Sequence, residues 1–202
     1  MPSACVRLHE DACDLCHLGE RSVWHGLDIR ARKLLAGKLS RREYGSGEVV
    51  IAQGEANDGV YCISSGTVAM RRLDGAGNSV LLCFGYPGDV IGYQAFLAGR
   101  PHQNSAEALG PTVTCRINRA TLTALLEAIP ALGLRFLKRS IGEAEQAYDA
   151  IFRQSVLSNR HRLVHLLLAM VRRVDRSDGN GSREFELPVS RRDLASMIGA
   201  RH

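Results

Sequence analysis

The chain has 202 residues, 45% hydrophobic, 23% charged and 5% aromatic, a balance that excludes fibrous and disordered classes and fits one or two globular domains. No apolar run reaches the roughly 20 residues that span a bilayer, and the opening MPSACVRLHEDACDLC lacks the basic-then-apolar order of a secretory signal; a membrane is not an expected partner and the cytoplasm is the expected compartment. Net charge is +5, but residues 1–152 carry 16 Lys and Arg against 16 Asp and Glu while residues 153–202 carry 10 against 5. A basic C-terminal quarter on a neutral body suits a phosphate-binding module, nucleic acid above all, and suits equally a solvated arginine-rich helical surface.

Three of the six cysteines, Cys5, Cys13 and Cys16, crowd into the first sixteen residues, which in a cytosolic chain points to metal or redox chemistry before a disulfide framework. Next, twelve glycines from Gly45 to Gly110 punctuate short β-branched runs at 48–53, 60–64, 67–73, 79–86, 90–93 and 112–117. That alternation predicts an antiparallel roll, and no helix-length segment separates the runs, so a parallel sheet with crossover helices is excluded. Cys62 and Cys83 lie within strand patterns and are expected in the core, where a thiol behaves as a small hydrophobe. Trp24 is expected to anchor the cysteine segment to the roll.

After the last strand the period changes. Leu122, Leu125, Leu126 and Ile129 mark a short helix stopping near Pro130. Leu134, Leu137, Ile141, Ala144, Tyr148, Ile151 and Ser155 then recur in steps of three and four, a heptad seam held for three repeats. The all-strand module before it has no second long helix to cover such a seam, which points to a homodimer closed by an isologous parallel coiled coil. A further helix is expected over 160–174, ended by the turn-rich 175–182, with a short strand in EFELPV and a last helix capped by Ser190 with Asp193 in the reciprocal capping position. His161 and His165 form an i, i+4 pair with no third ligand in view, and read as helix surface.

The joint spacing of Gly47, Gly54, Glu55, Asp58, Tyr61, Ile63, Gly66 and Val68, followed by Gly88, Asp89, Ile91 and Gly92, closely resembles the effector-sensing roll of the Crp/Fnr family of bacterial transcription regulators, and the likeness runs over about residues 13–202. It implies an α+β chain: a cysteine-rich segment at 1–28, a cyclic-nucleotide-binding-like β-roll at 29–120, a dimerisation helix region at 121–158 and a winged helix-turn-helix at 159–202. In that reading Ser190 to Met197 form the first helix of the pair, Gly199 is the turn glycine, and Arg201 and His202 enter the recognition helix. The DNA-facing residues would be Ser190, Arg191, Arg192, Arg201 and His202, and the implied partners are double-stranded DNA, a second copy of the chain and RNA polymerase. The helix-turn-helix is then incomplete, the chain is expected to be a fragment of a longer one, and its own DNA binding to be non-specific.

Family members that bind cyclic nucleotides use a Gly-Glu-Leu carboxylate on the ribose and an Arg-Ser pair on the phosphate. Here those places read Gly92-Tyr93-Gln94 and Asn104-Ser105, so cyclic AMP is not the expected ligand. The oxygen-sensing branch instead holds a [4Fe-4S] cluster on four thiolates. Resemblance implies Cys13, Cys16 and Cys115 as three of them; the position of the remaining N-terminal cysteine reads Ser22, and Cys5 is the expected substitute. Cys5, His9, Cys13 and Cys16 equally make a structural zinc set, Cys13-x-x-Cys16-His17 reads as a haem attachment string, and the same thiols could switch by disulfide formation alone. If the cluster is the sensor, its loss would untie the N-terminal segment from Cys115 and weaken pairing of the seam; oxygen, nitric oxide and redox poise all remain open as the signal. An enzyme is not expected: between His25 and His161 the sequence has only His102, and it holds no nucleophile–base pair and no P-loop.

Overall fold

The computed structural model describes residues 22–25, 34–35, 37–174 and 189–200. Among the described residues eight strands, β1 (Leu39–Tyr44), β2 (Val49–Ile51), β3 (Gly59–Ser65), β4 (Val68–Leu73), β5 (Ser79–Gly85), β6 (Val90–Ile91), β7 (Ser105–Ala108) and β8 (Thr112–Asn118), form two four-stranded sheets. One runs β1-β8-β3-β6 and the other β2-β7-β4-β5, with every pairing antiparallel. The described helices from the roll onward are α1 (Tyr93–Leu97), α2 (Arg119–Ala128), α3 (Pro130–Val156), α4 (Asn159–Val174) and α5 (Arg191–Met197).

The roll expected from the glycine-punctuated runs is present, with corrections. The strand expected over 48–53 is confined to Val49–Ile51, and that over 90–93 ends at Ile91 because Gly92, at φ 83°, turns the chain into α1. Two strands went unread. β1 is LSRREY, whose charges suit an edge strand and mask any alternation. β7 is SAEA, weak in β propensity, yet it runs between β2 and β4, where Ala106 and Ala108 are fully buried in the core between the sheets. Gly66 fills another tight spot: at φ 84° a Cβ there would sit 2.5 Å from the Pro111 carbonyl oxygen.

Two cores result. Between the sheets lie Tyr44, Val50, Ile51, Ile63, Val68, Ile91, Ala106 and Ala108. On the other face of the β1-β8-β3-β6 sheet, Val60, Cys62, Val90, Cys115 and Ile117 pack against Tyr93 and Phe96 of α1, Leu122 and Leu125 of α2, Leu132 and Phe136 of α3, and Trp24 from the N-terminal segment. Cys62 is therefore in the core as expected, whereas Cys83 is not: it lies exposed on β5.

The short helix expected before Pro130 is α2, capped by the Asn118 side chain accepting from the Thr121 amide at 2.8 Å, and Pro130 opens α3 at its first turn, where a missing N–H costs nothing. Helix α4 begins one residue before the expected start. The 175–182 turn region and EFELPV, apart from Val189, lie outside the described residues, as do Cys5, His9, Cys13, Cys16, His17, Arg201 and His202. Among the described residues no single helix is long and apolar enough to cross a membrane.

Candidate functional site

Four places in the fold carry residues singled out by sequence. The first is the pole where the N-terminal segment meets the roll. Trp24 is 1% exposed; its indole N–H donates to the Cys62 Sγ at 3.0 Å, and its ring stands edge-on to Phe136 of α3 with centroids 5.7 Å apart. Its backbone N–H donates to Ser22 Oγ at 3.3 Å. Arg135 of α3 donates to the Val23 carbonyl at 3.0 Å and also to that of His25. Trp24 thus anchors the segment to the roll as expected, and Arg135 ties the same segment to α3. Cys115 lies on β8 directly across from Cys62 on β3, and both are buried thiols of one core.

The second place is the stretch that would hold a cyclic nucleotide. Tyr93 and Gln94, where the family's Glu and Leu stand, are turned to α3. The Tyr93 hydroxyl donates to Glu143 Oε2 at 2.6 Å and the Gln94 amide to the same oxygen at 2.7 Å. Glu143 Oε1 also accepts from Arg139 at 2.9 Å, and Arg139 reaches on to Asp89 Oδ1 at 2.9 Å. Burial, then the hydrogen bond to Glu143 and its charge, push the Tyr93 hydroxyl up to about 12, so it remains a donor throughout the physiological range. Asn104, where the phosphate-binding arginine would stand, accepts from Arg72 Nε at 2.8 Å. His102 is buried beside Gly92, its ring Nε2 3.3 Å from Asn57 Nδ2, and burial pulls its pKa below the ordinary histidine value. Sequence reasoning missed the Asp89–Arg139–Glu143 chain. The i, i+4 spacing of Arg139 and Glu143 was the available signal for half of it; that α1 would come to rest against Glu143 had none.

The third place is the outer face of α3. Leu134, Leu137, Ile141, Tyr148 and Ile151 are 52%, 53%, 51%, 72% and 60% exposed, and Ala144 and Ser155 are exposed with them. Leu132 and Phe136 form the separate buried stripe that fastens the helix to the roll. The heptad positions therefore share one uncovered apolar face along a 27-residue helix.

Helix α5 carries Ser190, Arg191 and Arg192. Ser190 Oγ accepts from the Asp193 amide at 3.1 Å and Asp193 Oδ2 accepts from the Ser190 amide at 3.1 Å, the reciprocal cap expected from sequence. Arg191 and Arg192 are exposed, and Gly199 turns at φ 65°. The helix packs against β5, and Asp193 Oδ1 pairs with Arg71 Nη1 at 2.6 Å while Arg71 Nε lies 3.0 Å from Glu107. The hydrogen bond from Arg71 holds the Asp193 carboxyl below the usual carboxylate range. His161 and His165 lie exposed on α4, the surface reading. Among the described residues no cluster of three or more His, Cys, Asp or Glu forms a metal site.

Residues 41–128 match the family model of the cyclic nucleotide-binding domain. The nitrogen fixation regulation protein FixK of Rhizobium meliloti is 30% identical over 156 residues, 77% of this chain and 67% of that protein. The fumarate and nitrate reduction regulatory protein of Escherichia coli is 28% identical over 188 residues, covering 93% of this chain and 74% of that one. In three dimensions the chain is similar to FixK2 from Bradyrhizobium japonicum, with a TM-score of 0.69 at 25% identity over 80% of this chain and 78% of that chain. With the roll, the long helix and these relatives together, the chain belongs to the Crp/Fnr family of transcription regulators.

Proposed function

We propose that this regulator binds DNA as a homodimer paired along α3 and that its N-terminal cysteine segment reports oxygen or redox state to that helix. The observation that carries the reading is the seat of Ser22–His25: one short segment touches Cys62 through Trp24 and holds α3 through Arg135. Whatever alters the cysteines before Ser22 is thereby mechanically tied to the helix bearing the uncovered seam. Support for dimerisation comes from Leu134, Leu137, Ile141, Ala144, Tyr148, Ile151 and Ser155 lying on one exposed face. A dimer would set two helix-turn-helix units about one DNA turn, roughly 34 Å, apart, with Ser190, Arg191, Arg192, Arg201 and His202 towards the duplex. RNA polymerase is the further partner such a regulator would contact. The relatives are regulators by name, which favours a non-enzymatic role in the cytoplasm.

The sensory group we propose is a [4Fe-4S] cluster on Cys5, Cys13, Cys16 and Cys115. Its fit rests on reach: Ser22, which accepts from the amide of the same Trp24 that touches Cys62, Cys115's partner across the sheet, follows Cys16 by six residues, an extended span of about 20 Å. When bound, a cluster of this kind supplies oxygen-labile crosslinking of its thiolates. Trp24 and Arg135 then pass the position of the segment to Phe136 and the backbone of α3. Cyclic AMP is a poor candidate, because Tyr93 and Gln94 are both engaged by Glu143 and neither offers a carboxylate to a ribose.

Anaerobic reconstitution with iron and sulfide, followed by visible absorbance, an iron assay and sedimentation with and without oxygen, tests the reading. A brown protein whose dimer weakens in air is the expected result. A colourless, iron-free protein overturns the cluster, zinc on Cys5, His9, Cys13 and Cys16 replaces it if metal analysis finds that ion, and a monomer–dimer balance indifferent to oxygen overturns the mechanism.

A further inference from the structure

Every expectation for Cys62 treats it as core filler, yet the fold gives it a neighbour of its own kind. Cys62 on β3 is in direct register with Cys115 on β8, and both side chains enter the same core, so they point to the same face of the sheet. The phase of the ladder is fixed by the Arg119 amide donating to the Asp58 carbonyl at 3.0 Å in the same register. Counting by twos from that bond makes Cys62 and Cys115 a hydrogen-bonded pair, for which Cα atoms lie about 5.5 Å apart. That separation falls inside the Cα range of a disulfide, about 4.4 to 6.8 Å, whereas the Cβ atoms of such a pair, about 5.5 Å apart, must close to about 4.5 Å, so forming the bond draws the two side chains together. The thiols are 3% and 1% exposed, and the group over Cys62 is the Trp24 indole, the single tryptophan of the chain.

We infer that Cys62 and Cys115 are a cross-strand dithiol that oxidises to an intramolecular disulfide and in doing so unseats Trp24. The oxidant class is a small disulfide. The first thiolate attacks oxidised glutathione, forming a mixed disulfide and releasing one glutathione thiolate. The second attacks the mixed disulfide, closing the Cys62–Cys115 bond and releasing another. Two cysteine thiols are oxidised, one glutathione disulfide is reduced to two thiols, and the protons pass to the departing glutathiones. Because both sulfurs are covered, reaction requires Trp24 to lift away. Once Sγ of Cys62 is drawn onto Cys115 it leaves the position at which it accepts from the indole, and the segment that Trp24 holds loses that contact beside Phe136.

The inference rests on the redox reading of this pole and is independent of iron. Cys115 serves the cluster or the disulfide, so the switch belongs to the iron-free chain. The experiment takes iron-free protein, treats it with oxidised glutathione, maps disulfides by mass spectrometry of proteolytic peptides and follows tryptophan emission. Expected are a peptide joining Cys62 to Cys115, the loss of two alkylatable thiols, and a red shift reversed by dithiothreitol. Cys83→Ser should retain all three; Cys62→Ser, and independently Cys115→Ser, should lose them. A disulfide confined to Cys13 and Cys16 with Cys62 and Cys115 still open to alkylation in denaturant overturns the inference, as does a Cys62–Cys115 bond formed without any change in Trp24 emission. The wild-type mapping stands whether or not either variant folds. The iron assay and this mapping can each fail alone.

Discussion

Arg139 is the residue whose removal should disturb the molecule most for a position outside both cores. Its guanidinium, with 18% of the side chain exposed, contacts Asp89 at 2.9 Å and Glu143 at 2.9 Å. Asp89 is the costly partner, because its side chain is 8% exposed, whereas Glu143 at 35% retains water as well as Tyr93 and Gln94. In Arg139→Met the Asp89 carboxylate keeps the Tyr86 amide at 3.0 Å but loses its cation. A hydrogen bond to a buried charged group is worth about 1.5–3 kcal/mol, and the half-exposed Glu143 pair adds about 0.5. The expected loss is therefore about 2–3.5 kcal/mol, a fall in Tm of roughly 4–14 °C for a chain of this size. Urea unfolding of Arg139→Met, Asp89→Asn and the double variant forms a cycle in which the coupling should be about 2 kcal/mol, against about 0.5 for the same cycle on Glu143. A single-variant loss under about 0.5 kcal/mol, or a coupling to Glu143 larger than that to Asp89, would refute the ranking of these contacts by burial.

Ile141→Glu tests the seam. Burying the 51% exposed isoleucine of each copy contributes about 1 kcal/mol per protomer, and facing carboxylates add a desolvation cost, so dimer Kd should rise about 100-fold or more while the melting of the monomer changes little. Unchanged sedimentation at micromolar concentration would contradict a dimer closed by α3. Arg71→Met should free α5 from β5, raising amide exchange across Arg191–Met197 by about 5- to 30-fold, the equivalent of 1–2 kcal/mol. The same contact should be acid-labile in the wild type. Asp193 has a folded pKa below its unfolded value of about 3.9, so its contribution is complete above that value and lost as pH falls through the folded one. Exchange at α5 that does not quicken in that acid range, or that quickens equally in Arg71→Met, would remove Arg71 from the account.

How far the residues alone reach is clearest at particular places. Gly66 was legible as a turn because a positive φ and a close backbone approach leave few alternatives, whereas Gly92 read as part of a strand over 90–93 although it turns the chain into α1. The seam from Leu134 to Ser155 was legible because a helix repeats its faces at a fixed period. β1 and β7 were not, since an edge strand tolerates charge and the Ser-Ala-Glu-Ala run carries no large apolar or β-branched residue to mark a strand. Cys83 had the same strand context as Cys62 and the opposite fate: whether a face of a strand is covered depends on what packs over it.

The sequence by itself therefore determined the family, the roll in outline, the order of the helices that follow the roll and the heptad seam on the long one, all of which follow from local period, turn chemistry and motif spacing. Only the tertiary structure decided that Cys62 faces Cys115, that the Trp24 indole meets the Cys62 sulfur, that Tyr93 and Gln94 spend their polar groups on Glu143, and that Asp193 answers Arg71 across 122 residues of chain. The physical reason is common to all four. Each joins groups far apart in the chain, and neither partner's neighbours in sequence carry any trace of the other, because strand register and helix docking alone set those distances.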